Sequence, residues 1–334
     1  MNATTPEPSV LLILFRLFLL TMLGGSCLAW ISVITWFRMG GKSIPVEPRR
    51  PAPWGLIHFV GIFVLFVTVG TLTIKALDSL FFASMIATFP PEQQEGLKTM
   101  SRMFSGSLSQ IITMVLASVM IAVTTRATAE DLGWSLKKIA YDIVVGLGAA
   151  ILFLPIIQII MASLVFLLDQ EYDHPLLEAL NAGPALWMFA GAFFAAVIAA
   201  PITEEFLFRV ILQGMLEANA SRPFTWQRLI LGNMLDEPTP PTTAEATSEH
   251  QANVVSTAVP IWPLFLSGTL FGLAHAEYGP SWFPLILMGI LLGYLYRCTH
   301  RIWPCWIVHI TLNAISMIGF GLQVMNGNPI SSLW

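Results

Sequence analysis

The stretch Ile139–Leu168 reads IAYDIVVGLGAAILFLPIIQIIMASLVFLL. A helix needs about 20 predominantly apolar residues to cross the hydrocarbon core of a bilayer. This run is longer, with residues to spare for a tilt or for a turn beyond the lipid. Seven more runs of the same kind flank it: Val10–Phe37, Trp54–Ile74 and Leu108–Thr124 before it, and Ala185–Ala200 with a continuation, Ile261–Ala274, Trp282–Tyr296 and Trp303–Val324 after it. The pattern predicts an all-α fold, a polytopic transmembrane helix bundle of about eight helices.

Composition agrees. Of 334 residues, 55% are hydrophobic and 11% charged, where soluble proteins carry about a quarter charged residues. Mean hydropathy is +0.72. Lipid is the solvent that accommodates such a surplus, so the chain reads as an integral, multi-pass membrane protein, of the plasma or inner membrane in a bacterial host. The net charge is −4 without a basic run, which excludes nucleic acid as a partner, because that requires clustered Lys and Arg to release counterions. The three cysteines, Cys27, Cys298 and Cys305, fit no zinc spacing. The segment before the first run holds Glu7 and no Lys or Arg; a cleaved signal peptide wants basic residues there, so the first helix is expected to stay.

Lys and Arg in short loops orient a membrane protein. The first loop holds Arg38, Lys42, Arg49 and Arg50, the third Arg126, Lys137 and Lys138, and the last Arg297 and Arg301. The segment Asp169–Gly183 has acids only, and the second loop is balanced, with Lys75, Lys98 and Arg102 against Asp78, Glu92 and Glu95. These charges predict odd-numbered loops in the cytoplasm and both termini outside. A polar loop, Pro90–Glu95, is expected on the outer face. Residues 221–259 open with a short interfacial helix around Phe224–Ile230 and continue as a Pro/Thr/Ser/Glu run that cannot bury a core, and are expected to form a disordered loop. Residues 1–125 form N-terminal helices of unassigned role, and residues 126–325 a core carrying that insertion.

Ionisable groups inside lipid are costly and mark function by default. They gather in the last third of the chain. Glu204 and Glu205 follow the apolar run at 195–200, with Arg209 one turn after Glu205, so that Glu205 and Arg209 share a face and can pair. Glu204 points about 100° away and is left as a carboxylate suited to general-base work; a helix end standing in water is the competing reading. His275 ends the sixth run, after Gly272 and Ala274, which let another helix approach. His309 and Asn313 lie four apart in the last run, where helix–helix adhesion is the bland alternative. Together, Glu204 and His275 can hold and deprotonate a water while His309 and Asn313 donate to an oxyanion. Glu204, His275 and His309 can equally ligate a divalent metal such as zinc.

The order Glu-Glu-x-x-x-Arg, Phe-x-x-x-His, His-x-x-x-Asn, carried by Glu204, Glu205 and Arg209, then Phe271 and His275, then His309 and Asn313, resembles the CPBP family of CAAX prenyl endopeptidases and bacteriocin-processing or self-immunity proteins. Asp131-Leu132-Gly133-Trp134 looks like that family's Leu-Gly turn, and the resemblance covers about Asp131–Phe320. It implies a CAAX-protease-like intramembrane endopeptidase, a hydrolase acting on membrane-associated peptides or protein C-termini. Glu204 would activate water beside His275, His309 and Asn313 would form the oxyanion hole, and Glu205 with Arg209 would support the site. The family is described both as metal-dependent and as glutamate-dependent without metal. No cofactor is the preferred expectation, since Asn313 suits a donor better than a ligand. The expected partners are a peptide or protein substrate at the membrane and the bilayer itself. A non-catalytic scaffold or immunity factor that binds peptides is the alternative; a transporter would show paired repeats or broken helices in both halves. Two features depart from the family pattern. The insertion at 221–259 separates the first two motifs, and straight-helix counting puts His275 about 20 Å deep but His309 only about 9 Å.

Overall fold

A computed structural model describes residues 9–168, 186–232, 259–277 and 279–326. Nine helices occur among them: α1 (Val10–Arg38), α2 (Leu56–Ile86), α3 (Pro91–Thr125), α4 (Ile139–Leu168), α5 (186–220), α6 (Trp226–Leu231), α7 (Trp262–Leu273), α8 (Trp282–Thr299) and α9 (Ile302–Met325). No strand occurs among the described residues. All eight sequence-read runs are helices, and the short interfacial helix expected near residue 226 is α6. Six helices (α1 to α4, α8 with its preceding turn, and α9) are long and apolar enough to cross a membrane, and the chain is a multi-pass membrane protein. The acidic connection at 169–183 and most of the insertion, residues 233–258, lie outside the described residues.

Two expectations about loops need correction. Pro90–Glu95 is not a loop: α3 begins at Pro91, with Pro90 as its N-cap. Proline is favoured in the first helical turn, where its missing N–H is no loss, and the Glu and Gln that follow are good helix formers. The second connection shrinks accordingly to residues 87–90, and Lys75, Asp78, Lys98 and Arg102 stand on helices.

Burial separates core from periphery. The apolar windows of α8 and α9 are 56% and 44% buried, against 11% for α1 and α2. The C-terminal helices therefore form the interior, and α1 and α2 turn most of their Leu, Ile, Val and Phe outward to the lipid. α1 docks on α4 where Ser26 Oγ and Trp30 Nε1 both donate to the Leu152 carbonyl, beside Pro155. The α7–α8 hairpin packs backbone to backbone. A Cβ on Gly268 would stand 2.6 Å from the Ile290 nitrogen, and one on Gly272 would stand 2.5 Å from the Ile286 nitrogen. Only glycine permits that approach.

The connections that follow α1 and α3, together with the α8–α9 turn, gather at one end of the bundle, as the charge pattern requires of odd-numbered loops. The α1–α2 linker is strapped there. The Glu47 N–H donates to the Cys298 carbonyl, Trp54 is buried with its Nε1 on the Ile211 carbonyl, and Arg50 pairs with Asp131. Arg49 and Arg301, read from the sequence as loop charges, are instead largely buried. Arg49 donates to Tyr296 Oη (2.8 Å) and Glu217 Oε2 (2.9 Å). Arg301 is bidentate on Asp142 (2.7 and 2.8 Å) and also reaches Glu47 at 2.7 Å. Burial pushes the Glu47 carboxyl up, but Arg301 and Lys138 outweigh it and hold it below its ordinary value. The turn Asp131–Trp134 locks onto the same end. Gly133 has φ +76°, its carbonyl accepts from the Ile302 N–H at 3.1 Å, and Trp134 stacks on Phe206.

Candidate active site

Three helices supply the polar centre. Glu204 and Glu205 lie mid-way along α5, His275 just beyond the last turn of α7, and His309 two turns into α9. α5 is interrupted by π turns at Phe194–Ala199 and Phe206–Gln213, on either side of the two glutamates. Such turns rearrange the carbonyl ladder and are frequent at functional sites.

The buried half of the centre is tightly paired. Glu205 and Arg209 are both fully buried, with Arg209 Nε donating to Glu205 Oε2 at 2.9 Å. His309 Nδ1 lies 2.8 Å from Glu205 Oε1. A carboxylate that already accepts from an arginine accepts here too, so His309 Nδ1 carries a proton. In neutral His309 the lone pair is then on Nε2, the atom 3.8 Å from Glu204 Oε2. His275 repeats the logic. Its Nδ1 lies 2.9 Å from the Phe271 carbonyl, which can only accept, and its Nε2 is 3.9 Å from the same Glu204 oxygen. The neutral tautomers thus turn two imidazole lone pairs toward one carboxylate oxygen. Glu204 Oε2 is itself buried and without a hydrogen bond, while the Glu204 side chain as a whole is 28% exposed and that of His275 24%. The centre has a closed floor and an open side.

Phe271 ties the pieces together. Its ring lies 5.0 Å from the Arg209 guanidinium carbon, 5.2 Å from the His275 ring and edge-on to His309 at 5.6 Å. That is why an aromatic residue sits four before the histidine. The depth conflict read from the sequence does not arise. The His275 ring turns back along α7 onto the Phe271 carbonyl, and the Glu204 side chain meets both imidazoles. Helix counting assumed straight helices starting from one plane.

Asn313 takes a partner of its own. Its Nδ2 donates to the Ala196 carbonyl at 2.7 Å. That carbonyl lacks a helical donor, because the Ala200 N–H goes to Ala195 across the π turn and residue 201 is proline. One of the two amide hydrogens of Asn313 is therefore spent on α5. Ser267 was not singled out from the sequence. Fully buried, it accepts from Arg209 Nη1 (3.1 Å) and donates to the Phe208 carbonyl (2.8 Å). Its only signal is its place, four before Phe271 and eight before His275 on α7. Gln213 and Glu217 were likewise missed. They continue the buried face of Glu205 and Arg209 at four-residue steps, and Gln213 Nε2 donates both to Glu217 Oε1 and to the Gly293 carbonyl, each at 2.9 Å.

Residues 186–315 match the family model of type II CAAX prenyl endopeptidase Rce1-like proteins. The match spans α5 to α9 and takes in Glu204, Glu205, Arg209, His275, His309 and Asn313, which agrees with the resemblance carried by the motifs. Helices α1 to α4 lie outside it. No curated protein and no solved structure matches the chain significantly.

The donor set also bears on a metal. Two imidazole nitrogens and a carboxylate oxygen are zinc-type ligands, and a carboxylate behind a ligating histidine, as Glu205 is behind His309, is the usual outer support. The chemistry of the set fits. The spacing is wider: 3.8–3.9 Å from oxygen to nitrogen, against about 3.3 Å between ligands of a tetrahedral zinc with bonds of about 2.05 Å. Among the described residues no three His, Cys, Asp or Glu are drawn close enough to hold an ion as they stand.

Proposed function

We propose that the chain is an intramembrane endopeptidase of the CAAX-protease type, hydrolysing a peptide bond near the C-terminus of membrane-associated peptides or proteins. One observation carries this reading: a buried, unbonded carboxylate oxygen of Glu204 facing the Nε2 atoms of His275 and His309 from two other helices. Lone pairs at this separation call for an intervening proton donor. Water fits, giving one hydrogen to Glu204 and one to an imidazole and keeping its own lone pair for a carbonyl carbon.

Glu204 takes the proton as the water adds to the carbonyl carbon, with His275 beside it, and hands that proton to the amide nitrogen as the C–N bond breaks and the amine leaves. With a proton from solvent on Nε2 before the water attacks, His309 is an imidazolium, which Glu205 stabilises through Nδ1, and in that form it can donate to the oxyanion; the bridging water then uses the His275 lone pair. The second hydrogen of the Asn313 amide supplies the other donor. Arg209, Ser267 and Phe271 hold Glu205 and the rings in place. No cofactor is required by this scheme. The second reading keeps a divalent metal on Glu204, His275 and His309, where it would supply Lewis-acid activation of water; the convergent lone pairs favour it.

The test is cleavage of a lipidated C-terminal peptide by the purified chain in detergent. Glu204→Ala is expected to abolish cleavage while inserting and folding normally, and full activity in that variant would overturn the role given to Glu204. Chelation separates the two schemes: loss of activity restored by zinc selects the metal. A protein that captures the peptide equally well with Glu204 or with Gln in its place, and forms product with neither, is a scaffold.

A further inference from the structure

At the end of the bundle away from the α1–α2 linker, α2 and α3 enclose a cleft of about 510 Å³. Among the described residues its lining mixes the cations Lys75, Lys98 and Arg102 and one acid, Asp78, with the buried Ser101 and the apolar ring of Phe82. The wall on α2 is the π turn Asp78–Phe82, which widens that helix where it faces α3. Lys98 also pairs with Glu95 at 3.5 Å, both side chains well exposed. Lys75 and Arg102 have no ion-pair partner among the described residues.

The height of the cleft in the bilayer follows from the helix pair. His58 and Thr124 are hydrogen-bonded at 3.1 Å at the linker end. From His58 to Lys75, α2 contains no Asp, Glu, Lys or Arg and rises about 26 Å at 1.5 Å per residue. That nearly spans a hydrocarbon core of about 30 Å. Beyond Ser105, α3 is likewise uncharged as far as Thr125. The cations therefore sit where the acyl chains end and the headgroups begin, with an apolar wall toward the lipid. Charges balanced against one another in a solvated loop would signify nothing. Set on two helices around one cleft at headgroup height, they select a ligand.

We infer that this cleft binds the phosphate of an anionic phospholipid, with Lys75 and Arg102 on the phosphate oxygens, Lys98 at the rim, and the acyl chains along α2 and α3. Asp78 keeps the site from becoming more strongly anion-binding. The ligand is a phosphate group, and its carrier is the lipid rather than free phosphate, because the apolar wall adjoins the cations.

The test is titration of the full chain, in detergent, with phosphatidylglycerol and with phosphatidylcholine, read by native mass spectrometry. Phosphatidylglycerol should be retained in preference. At about fivefold in affinity for each juxtamembrane cation, Lys75→Ala with Arg102→Ala should weaken its binding by about 30-fold, and Lys137→Ala at the opposite end should leave it unchanged. Asp78→Asn should tighten binding by about fivefold, which keeps the inference testable if the double variant does not fold. Inorganic phosphate in excess should not displace the lipid. Equal retention by wild type and double variant, no tightening in Asp78→Asn, or displacement by inorganic phosphate would each overturn it.

Discussion

Replacing Glu205 by glutamine removes one charge and one acceptor from the floor of the site. Glu205 accepts from Arg209 Nε at 2.9 Å and from His309 Nδ1 at 2.8 Å, and Glu205 and Arg209 are fully buried. A glutamine offers one oxygen and one NH2 where two acceptors are needed. If the oxygen keeps Arg209, the NH2 faces His309 Nδ1, which must give up its proton and move it to Nε2. Two effects follow. A buried guanidinium loses its counter-charge, a loss of about 3–5 kcal/mol when one partner of a buried pair is removed. At roughly 2–4 °C per kcal/mol for chains somewhat smaller than this one, the unfolding temperature in detergent should fall by on the order of 10 °C. The lone pair that faced Glu204 also becomes an N–H. Removing such outer support typically lowers activity by about 10–100-fold, and the upper end applies here because the tautomer itself changes. Long-range 1H–15N spectra of histidine-labelled protein read the proton directly, on Nδ1 in the wild type and on Nε2 in Glu205→Gln. An unchanged unfolding temperature together with an unchanged His309 tautomer would refute the pairing on which the site is built.

Two further outcomes follow from the fold. Gly272→Ala puts a methyl against the α8 backbone at 2.5 Å from the Ile286 nitrogen. It should destabilise the protein by about 1–3 kcal/mol and misplace His275, lowering cleavage even at temperatures where the chain stays folded; thermal unfolding and peptide cleavage measured side by side check both. His300, in the α8–α9 turn, is held well below the ordinary imidazole value, first by burial and then by Arg49. The unfolded chain thus takes up a proton that the folded chain refuses. The stability this residue contributes is complete above about pH 6.5 and is lost as pH falls toward its depressed folded value. His300→Asn, tolerable at φ 52°, should flatten unfolding temperature against pH between roughly 5 and 6.5, and an identical slope in the variant would contradict that assignment.

The sequence made the bundle and the site legible for the same reason: lipid punishes charge. Long apolar runs declare themselves as spans, and Glu204, Glu205, Arg209, His275 and His309 stand out because they interrupt such runs. What stayed hidden depends on context that pattern reading does not carry. Glu47 and Arg49 lie in the α1–α2 linker and Asp142, Glu217 and Arg301 near helix ends, where charges are ordinarily solvated. Only the linker strapped across the bundle end buries them into pairs. Serine is unremarkable in an apolar helix, so Ser267 could not be told from its neighbours. The attachment of Asn313 to Ala196 depends on a π turn and on Pro201 acting together. Lys98 and Arg102 look like loop charges because a Pro-Pro followed by Glu and Gln resembles a break, whereas it starts a helix, and Lys75 looks like one because the apolar run ends at Ile74, whereas α2 continues to Ile86.

Glu204, facing two imidazoles across a short gap, is proposed to carry out peptide hydrolysis inside the membrane. The most direct test is mass spectrometry of membrane peptides from cells expressing the wild-type chain or Glu204→Ala at equal levels. Released C-terminal fragments that appear with the wild type and vanish with the variant are the expected result. The same fragments in both, from a variant that is correctly inserted, would contradict the account.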